Sequence, residues 1–246
     1  MNTNHSILSN TNTKTTTLAL MMLVIITLIH VLCIETTSAA PIIEARGISS
    51  CYKKGNAKLT MYWIPKEGDV DMLNNGKTVK LTGSKTKSLK TISGKTIAKV
   101  ASVTYDKFQM EGTGLLKSGK MVNLGANKNV FMELDRSETP YGLGDNSNGL
   151  VPWVSVASND MKRGTKLYIK EFDGLKLPNG RTHNGCVRVD DKGWSFSGCQ
   201  LDWFTLQYSA YKELVDTVGD EITVVEKDSC QLKDYVTKTV QKWAVL

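Results

Sequence analysis

Two aspartates, Asp191 and Asp202, stand eleven residues apart in the stretch "VDDKGWSFSGCQLDWF" (189–204), among two tryptophans, two phenylalanines and two glycines. A carboxyl that keeps its proton near neutral pH can serve as a general acid, and burial among apolar neighbours is what raises its pKa far enough. A second carboxyl close by can orient a reactant or stabilise developing positive charge. Asp191 lies at a strand end beside Gly193, where backbone can come close to a ligand. Asp202 sits between Leu201 and Trp203, and strand alternation turns its side chain away from theirs. The same alternation points Asp190 to the face opposite Asp191. Trp194, Trp203, Trp153 and Lys166 are the candidate substrate contacts, with Tyr62 and Trp63 as further stacking faces and Trp194 foremost because it stands in a loop between glycines. His183, beside a turn in "RTHNGC", reads as a surface residue. No serine triad, phosphate loop or nucleotide fingerprint is present, and neither a metal nor a cofactor is expected.

The elements that position these residues read as β structure, because short alternating runs are broken by Gly, Asn and Asp. "AKLTMYWI" is a strand stopped by Pro65, and "KTVKLTG" and "KTIAKVASVTY" alternate at period two. "GLLKSGKMVNLG" forms a hairpin around Ser118-Gly119, and "WVSVA" and "TKLYIKEF" flank the turn "KRG". "CVRVDD", "CQLDWF" and "EITVVEK" follow. Residues 206–219 carry helical spacing closed by Gly219, the tail after residue 231 offers a second short helix, and 136–152 is a loop. Strands this short suggest a small closed barrel.

The first 39 residues read as a signal peptide, with the apolar run Leu18–Ile34 followed by small residues up to Ala39, and an N-terminal membrane anchor is the alternative reading of that seventeen-residue run. A lead (40–56), a barrel domain (57–230, with an insertion near 66–100) and a tail (231–246) complete the chain. Four cysteines remain after the signal: Cys51, Cys186, Cys199 and Cys230. An even count behind a signal implies two disulfides, for which Cys186–Cys199 and Cys51–Cys230 are the expected pairs. No C-x2-C pair exists to suggest a metal site. The formal net charge is +7, and seven lysines without one acid lie between Gly76 and Val100. Such a stripe suits an anionic matrix such as a wall polymer, an acidic polysaccharide or a membrane headgroup, and equally a solvated edge protected against aggregation. Nucleic acid is not an expected partner. The mature chain is expected to be a secreted monomer without stable membrane insertion.

From Trp153 to about Val225 the chain resembles the three-Asp (3D) domain, the double-psi β-barrel of lytic transglycosylases and related wall-remodelling proteins. "WVSVASNDMKRGTKLYIKE" is similar to that family's strand–turn–strand, with Gly164-Thr165 at the turn. Asp191, Gly193, Gly198, Asp202 and Phe204 fall on its Asp/Gly/Gly/Asp/aromatic pattern without a gap, and "EITVV" is similar to its closing strand. The first of the three acids would fall at Ala157, and Asp160 is three residues further on. The layout also resembles the barrel of expansins, barwin and family 45 endoglucanases, whose His-Phe-Asp falls on Gln200-Leu201-Asp202. The resemblance implies a mostly β fold, a six-stranded double-psi β-barrel with one or two short helices and a lysine-rich insertion. It implies cleavage of wall polysaccharide by transglycosylase-type or hydrolytic chemistry, with Asp202 and Asp191 as the catalytic pair. A lytic transglycosylase needs only one catalytic carboxyl, because a hydroxyl of the sugar itself attacks. Two other readings stand beside it: an expansin-like module that binds and loosens glycan without cutting, and a secreted inhibitor or effector on the same barrel.

Overall fold

The computed structural model describes residues 50–53, 57–125 and 127–245. The expected signal segment and most of the lead lie outside the described residues. The chain enters through a one-turn helix α1 (Ser50–Lys53) and the strand β1 (Ala57–Trp63), which alternates buried and exposed positions until Pro65 follows it. Two hairpins come next, β2 (Val70–Met72) with β3 (Thr78–Lys80) and β4 (Lys87–Lys90) with β5 (Thr96–Val100). Helix α2 (Ser102–Glu111) leads into a small meander of β6 (Thr113–Leu115), β7 (Met121–Leu124) and β8 (Phe131–Leu134). The remaining strands are β9 (Ser155–Ala157), β10 (Lys166–Lys176), β11 (Thr182–Asp191), β12 (Gln200–Leu206), β13 (Glu221–Ile222) and β14 (Val224–Glu226). Helix α3 (Tyr208–Val218) lies between β12 and β13, and α4 (Lys238–Val245) follows β14.

Seven of these strand segments form one sheet in the order β13-β1-β12-β9-β11-β10-β14. Its two end segments are separated only by Thr223, whose carbonyl accepts from the amide of Lys170 on β10. One short stretch of chain thus borders both ends of the sheet, which makes a nearly closed barrel in a mostly β protein. Two pairs are parallel, β1 with β12 and β9 with β11, while β12 and β9 run antiparallel between them. The sequence pointed to six strands; the sheet holds seven segments, the two shortest being consecutive pieces of "EITVVE".

The main apolar core includes Leu59, Val156, Leu167, Ile169, Val187, Val189, Leu201, Phe204 and Val224, with Trp203 stacked on Phe172 at 4.1 Å. A second apolar cluster, Leu89, Val100, Phe108, Leu116, Val122, Leu124 and Phe131, holds the β4–β5 hairpin, α2 and the meander together. All of it belongs to one compact unit spanning Gly47–Leu246. No helix among the described residues is long and apolar enough to cross a membrane.

Three expectations are corrected. The run "ASVTY" does not continue β5 as a strand but opens α2, which ends at Gly112 in the left-handed region (φ 78°) with its amide bonded to Phe108 O. The buried positions of α2 are Thr104, Lys107 and Phe108, so its inner face carries little apolar periodicity to read. The disulfides join Cys51 to Cys199 and Cys186 to Cys230, with Cα separations of 5.9 and 5.6 Å. The expected Cys186–Cys199 pair is excluded by the sheet order, because β9 lies between β11 and β12 and holds the two cysteines beyond disulfide reach. His183 is not at the surface. It is 1% exposed, with Nε2 at 2.8 Å from Trp153 O, and burial holds its pKa down at about 4.

Candidate active site

The register of three strands brings the two aspartates together. Ala157 at the end of β9 is the Cα partner of Asp202 on antiparallel β12 and of Asp191 on parallel β11. The acids therefore flank one alanine, about two strand spacings (~10 Å) apart at the backbone, and the alanine methyl leaves the space between them open. A bulge makes this possible. β9 and β11 pair at Arg188–Ser155 and Val189–Val156, and the register then shifts so that Asp191, not Asp190, meets Ala157. The displaced Asp190 is 3% exposed, accepting from Ser155 Oγ at 2.6 Å and from Arg188 Nε at 2.6 Å. Adjacent aspartates thus end in different environments, one buried against a partly exposed arginine and one at a cleft.

The cleft has a volume of about 1070 Å³, and its wall includes β1, α2, the loop after β11 and the end of α3. Asp191 is well supplied with donors. The amides of Asp145 and Lys192 reach Oδ1 at 2.8 Å each, and the Tyr62 hydroxyl donates to Oδ2 at 3.3 Å. Burial nevertheless pushes its pKa up to about 6, against the pull of those donors. Asp202 is different. Its Oδ1 is cut off from solvent and has no hydrogen-bond partner among the described residues. Burial raises its pKa to about 7; the Thr60 hydroxyl on the paired strand draws it down, and the charges of Glu111 and Asp191 push it up. One carboxyl is thus clamped by donors, and the other has an oxygen shut away from water without a partner.

A charged cluster in the cleft wall accompanies them. Lys107 is 1% exposed, with Nζ at 2.6 Å from Glu111 Oε1, at 3.3 Å from Asp71 Oδ1 and 4.4 Å above the Trp63 ring. The Trp63 indole donates to Asp71 at 3.1 Å, and its amide to Glu111 Oε2 at 3.4 Å. Burial raises the pKa of both carboxyls against the opposing pull of Lys107. The sequence offered Tyr62 and Trp63 only as stacking faces, and their contacts with these carboxylates and the place of Lys107 were missed; the four-residue spacing of Lys107 and Glu111 was the available signal.

Trp194 is 74% exposed at the cleft, on a loop fastened from below by Asn159. The Asn159 amide donates to Gly193 O at 3.1 Å and to Phe196 O at 2.5 Å, and its oxygen accepts from Gly193 N at 3.1 Å. Asp160 secures the far end of the loop, accepting from Cys199 N at 3.0 Å and from the Tyr52 hydroxyl at 2.5 Å. The other predicted contacts are not at the cleft. Trp153 and Trp203 are 1% and 0% exposed, in the core, where their bulk fills the barrel and no ring face is left for a ligand. Lys166 does not line the cleft; it opens β10, with Nζ toward Asp228 O at 3.4 Å. Among the described residues no group of three or more His, Cys, Asp or Glu is placed to hold a metal ion.

No protein-family model matches the chain, and no curated protein matches it. Among solved structures it is similar to a membrane-bound lytic murein transglycosylase from Agrobacterium tumefaciens (10% identity, 70% of this chain and 74% of that one, TM-score 0.44). It is similar to Escherichia coli MltA with bound chitohexaose (15% identity, 70% and 71%, TM-score 0.45). A third is the lytic transglycosylase LtgG of Burkholderia pseudomallei (13% identity, 69% and 72%, TM-score 0.34).

Proposed function

We propose that the protein cleaves a glycosidic bond in a wall polysaccharide, with Asp202 as the catalytic acid and base. The observation that carries the reading is the free, solvent-excluded Oδ1 of Asp202 at the cleft, on a carboxyl whose pKa stands at about 7. Such a group still holds a proton near neutrality, which is what a general acid needs. The Asp202 proton passes to the glycosidic oxygen as the bond to the anomeric carbon breaks. The resulting carboxylate then takes a proton from the hydroxyl that attacks that carbon. Asp191, its orientation fixed by two amides and Tyr62, supplies negative charge toward the oxocarbenium-like centre. Ala157 puts a methyl where a further acid would stand, which suits attack by the sugar's own hydroxyl with Asp202 acting twice. Trp194 offers a stacking face at the rim. The two disulfides fit an oxidising compartment and hence export.

A module that only binds glycan has no use for a buried, protonated carboxyl, which costs stability whenever it ionises. The test is mass spectrometry of products from peptidoglycan and from plant and fungal wall polymers, with wild type and Asp202→Asn. An anhydro-sugar lost in the variant supports the intramolecular route, and a water-added product indicates hydrolysis. No product from wild type, with polymer still retained, refutes cleavage.

A further inference from the structure

The lysine-rich hairpin β4–β5 is not explained by the cleft, since none of residues 76–100 lines it. The inner side chains Leu89 and Val100 are fully buried in the second apolar cluster, so the ribbon is rooted in the body of the protein. Lys87, Lys90, Lys95 and Lys99 are exposed, as are Lys77, Lys80 and Lys85 nearby. Lys85 meets Glu67 at 3.3 Å, whereas Lys90, Lys95 and Lys99 take part in no ion pair among the described residues. The turn at the tip runs Thr91-Ile92-Ser93-Gly94, closed by Gly94 N to Thr91 O and Thr91 N to Lys95 O at 2.9 Å each. Its second residue, Ile92, is 80% exposed, more than any other large apolar side chain among the described residues.

Isoleucine is a poor choice there on local grounds. Tight turns favour Pro, Asn, Asp, Ser and Gly, each for a backbone or hydrogen-bonding reason that a β-branched aliphatic chain cannot supply. A local choice that contradicts the local rule points to a function outside the fold. The chemistry around the tip narrows the partner. Free ammonium groups flank a bare aliphatic side chain, and the stretch from Gly76 to Val100 contains no acid and no aromatic ring. A polyanionic glycan would be met by the lysines but has nothing to offer Ile92, and it would find no stacking face. A bilayer with anionic headgroups offers both: negative charge for the lysines and, just beneath, hydrocarbon for the isoleucine.

We propose that the β4–β5 hairpin is a peripheral docking element for anionic lipid surfaces, with Ile92 as the inserted tip and Lys87, Lys90, Lys95 and Lys99 as the headgroup contacts. The docking does not depend on the reaction at the cleft. The test is co-sedimentation of the protein, as exported, with phosphatidylcholine vesicles with and without phosphatidylglycerol. Binding should require phosphatidylglycerol and weaken steeply with added salt. Ile92→Ser should weaken it about tenfold, and the double change Lys90→Glu/Lys95→Glu by about a hundredfold, with the melting temperature of each variant unchanged because all three side chains are exposed. Absence of binding to the anionic vesicles overturns the proposal. So does binding that is indifferent to Ile92→Ser and is matched by retention on polygalacturonate, which would make the stripe a polymer-binding surface.

Discussion

Replacing Asp202 with asparagine should make the protein more stable in alkali, and the size of the gain follows from the site. The carboxyl titrates at about 7 in the folded chain against an ordinary 3.8. Between these values the folded state holds a proton that the unfolded state has released, so stability falls as pH rises from about 4 to about 7, and the full penalty remains above that. At about 1.4 kcal/mol per tenfold the penalty is ~4 kcal/mol. Oδ1 is cut off from water but the residue as a whole is partly exposed, and solvent screening trims the figure to about 2–3 kcal/mol. Asparagine keeps the shape without the ionisation, and whatever its amide costs in the same place does not vary with pH. Thermal melts of wild type and Asp202→Asn at about pH 4.5 and about pH 8.5 should therefore diverge, the variant gaining about 5–10 °C on wild type between the two conditions. An equal difference at both pH values, or a wild type that gains on the variant in alkali, would refute the assignment of a buried, proton-holding carboxyl whatever the protein acts on.

Cleavage should follow a bell-shaped pH profile with limbs near 6 and 7, because Asp191 must be ionised while Asp202 is protonated. Glu111→Gln removes a negative charge that favours the proton on Asp202, so the alkaline limb and the 13C-detected titration of Asp202 should both move to lower pH. Trp194→Ala should weaken oligosaccharide binding about 3- to 10-fold by calorimetry while leaving the melting temperature in place, since the ring is 74% exposed. Asp190→Ala should behave oppositely to Asp202→Asn: it takes the carboxylate from Ser155 and from the partly exposed Arg188 and should cost about 1–2 kcal/mol in denaturant melts.

What could be read from the sequence was whatever obeys local rules. The Ser118-Gly119 hairpin, the loop before Trp153 and the helix closed by Gly219 each follow from turn chemistry or from spacing within a dozen residues. Helix α2 escaped because its buried face presents Lys107, whose partners Glu111 and Asp71 satisfy it only in three dimensions. The candidacy of Asp191 and Asp202 was visible in their company of glycines and aromatics. Their meeting across Ala157 was not, because it depends on two strand registers and on a bulge that exchanges the roles of Asp190 and Asp191. Trp153 and Trp203 look like stacking platforms by residue type, but a small barrel needs large side chains at its centre and takes them first. The disulfide pairs turned on the order of strands in the sheet, which no cysteine spacing encodes.

The Cys51–Cys199 bond has a mechanical consequence. Cys51 stands six residues ahead of β1 and Cys199 one residue ahead of β12, so the bond pins the leading ends of two parallel neighbours. A one-residue slide of β12 along β1 would turn Asp202 to the other face of the sheet, and the pin opposes that slide. Tension on the chain from the N-terminal side of residue 51 reaches Cys199 and the loop carrying Trp194 through the sulfur bridge, without first passing along β1. Any tether preceding α1 therefore pulls on the rim of the cleft.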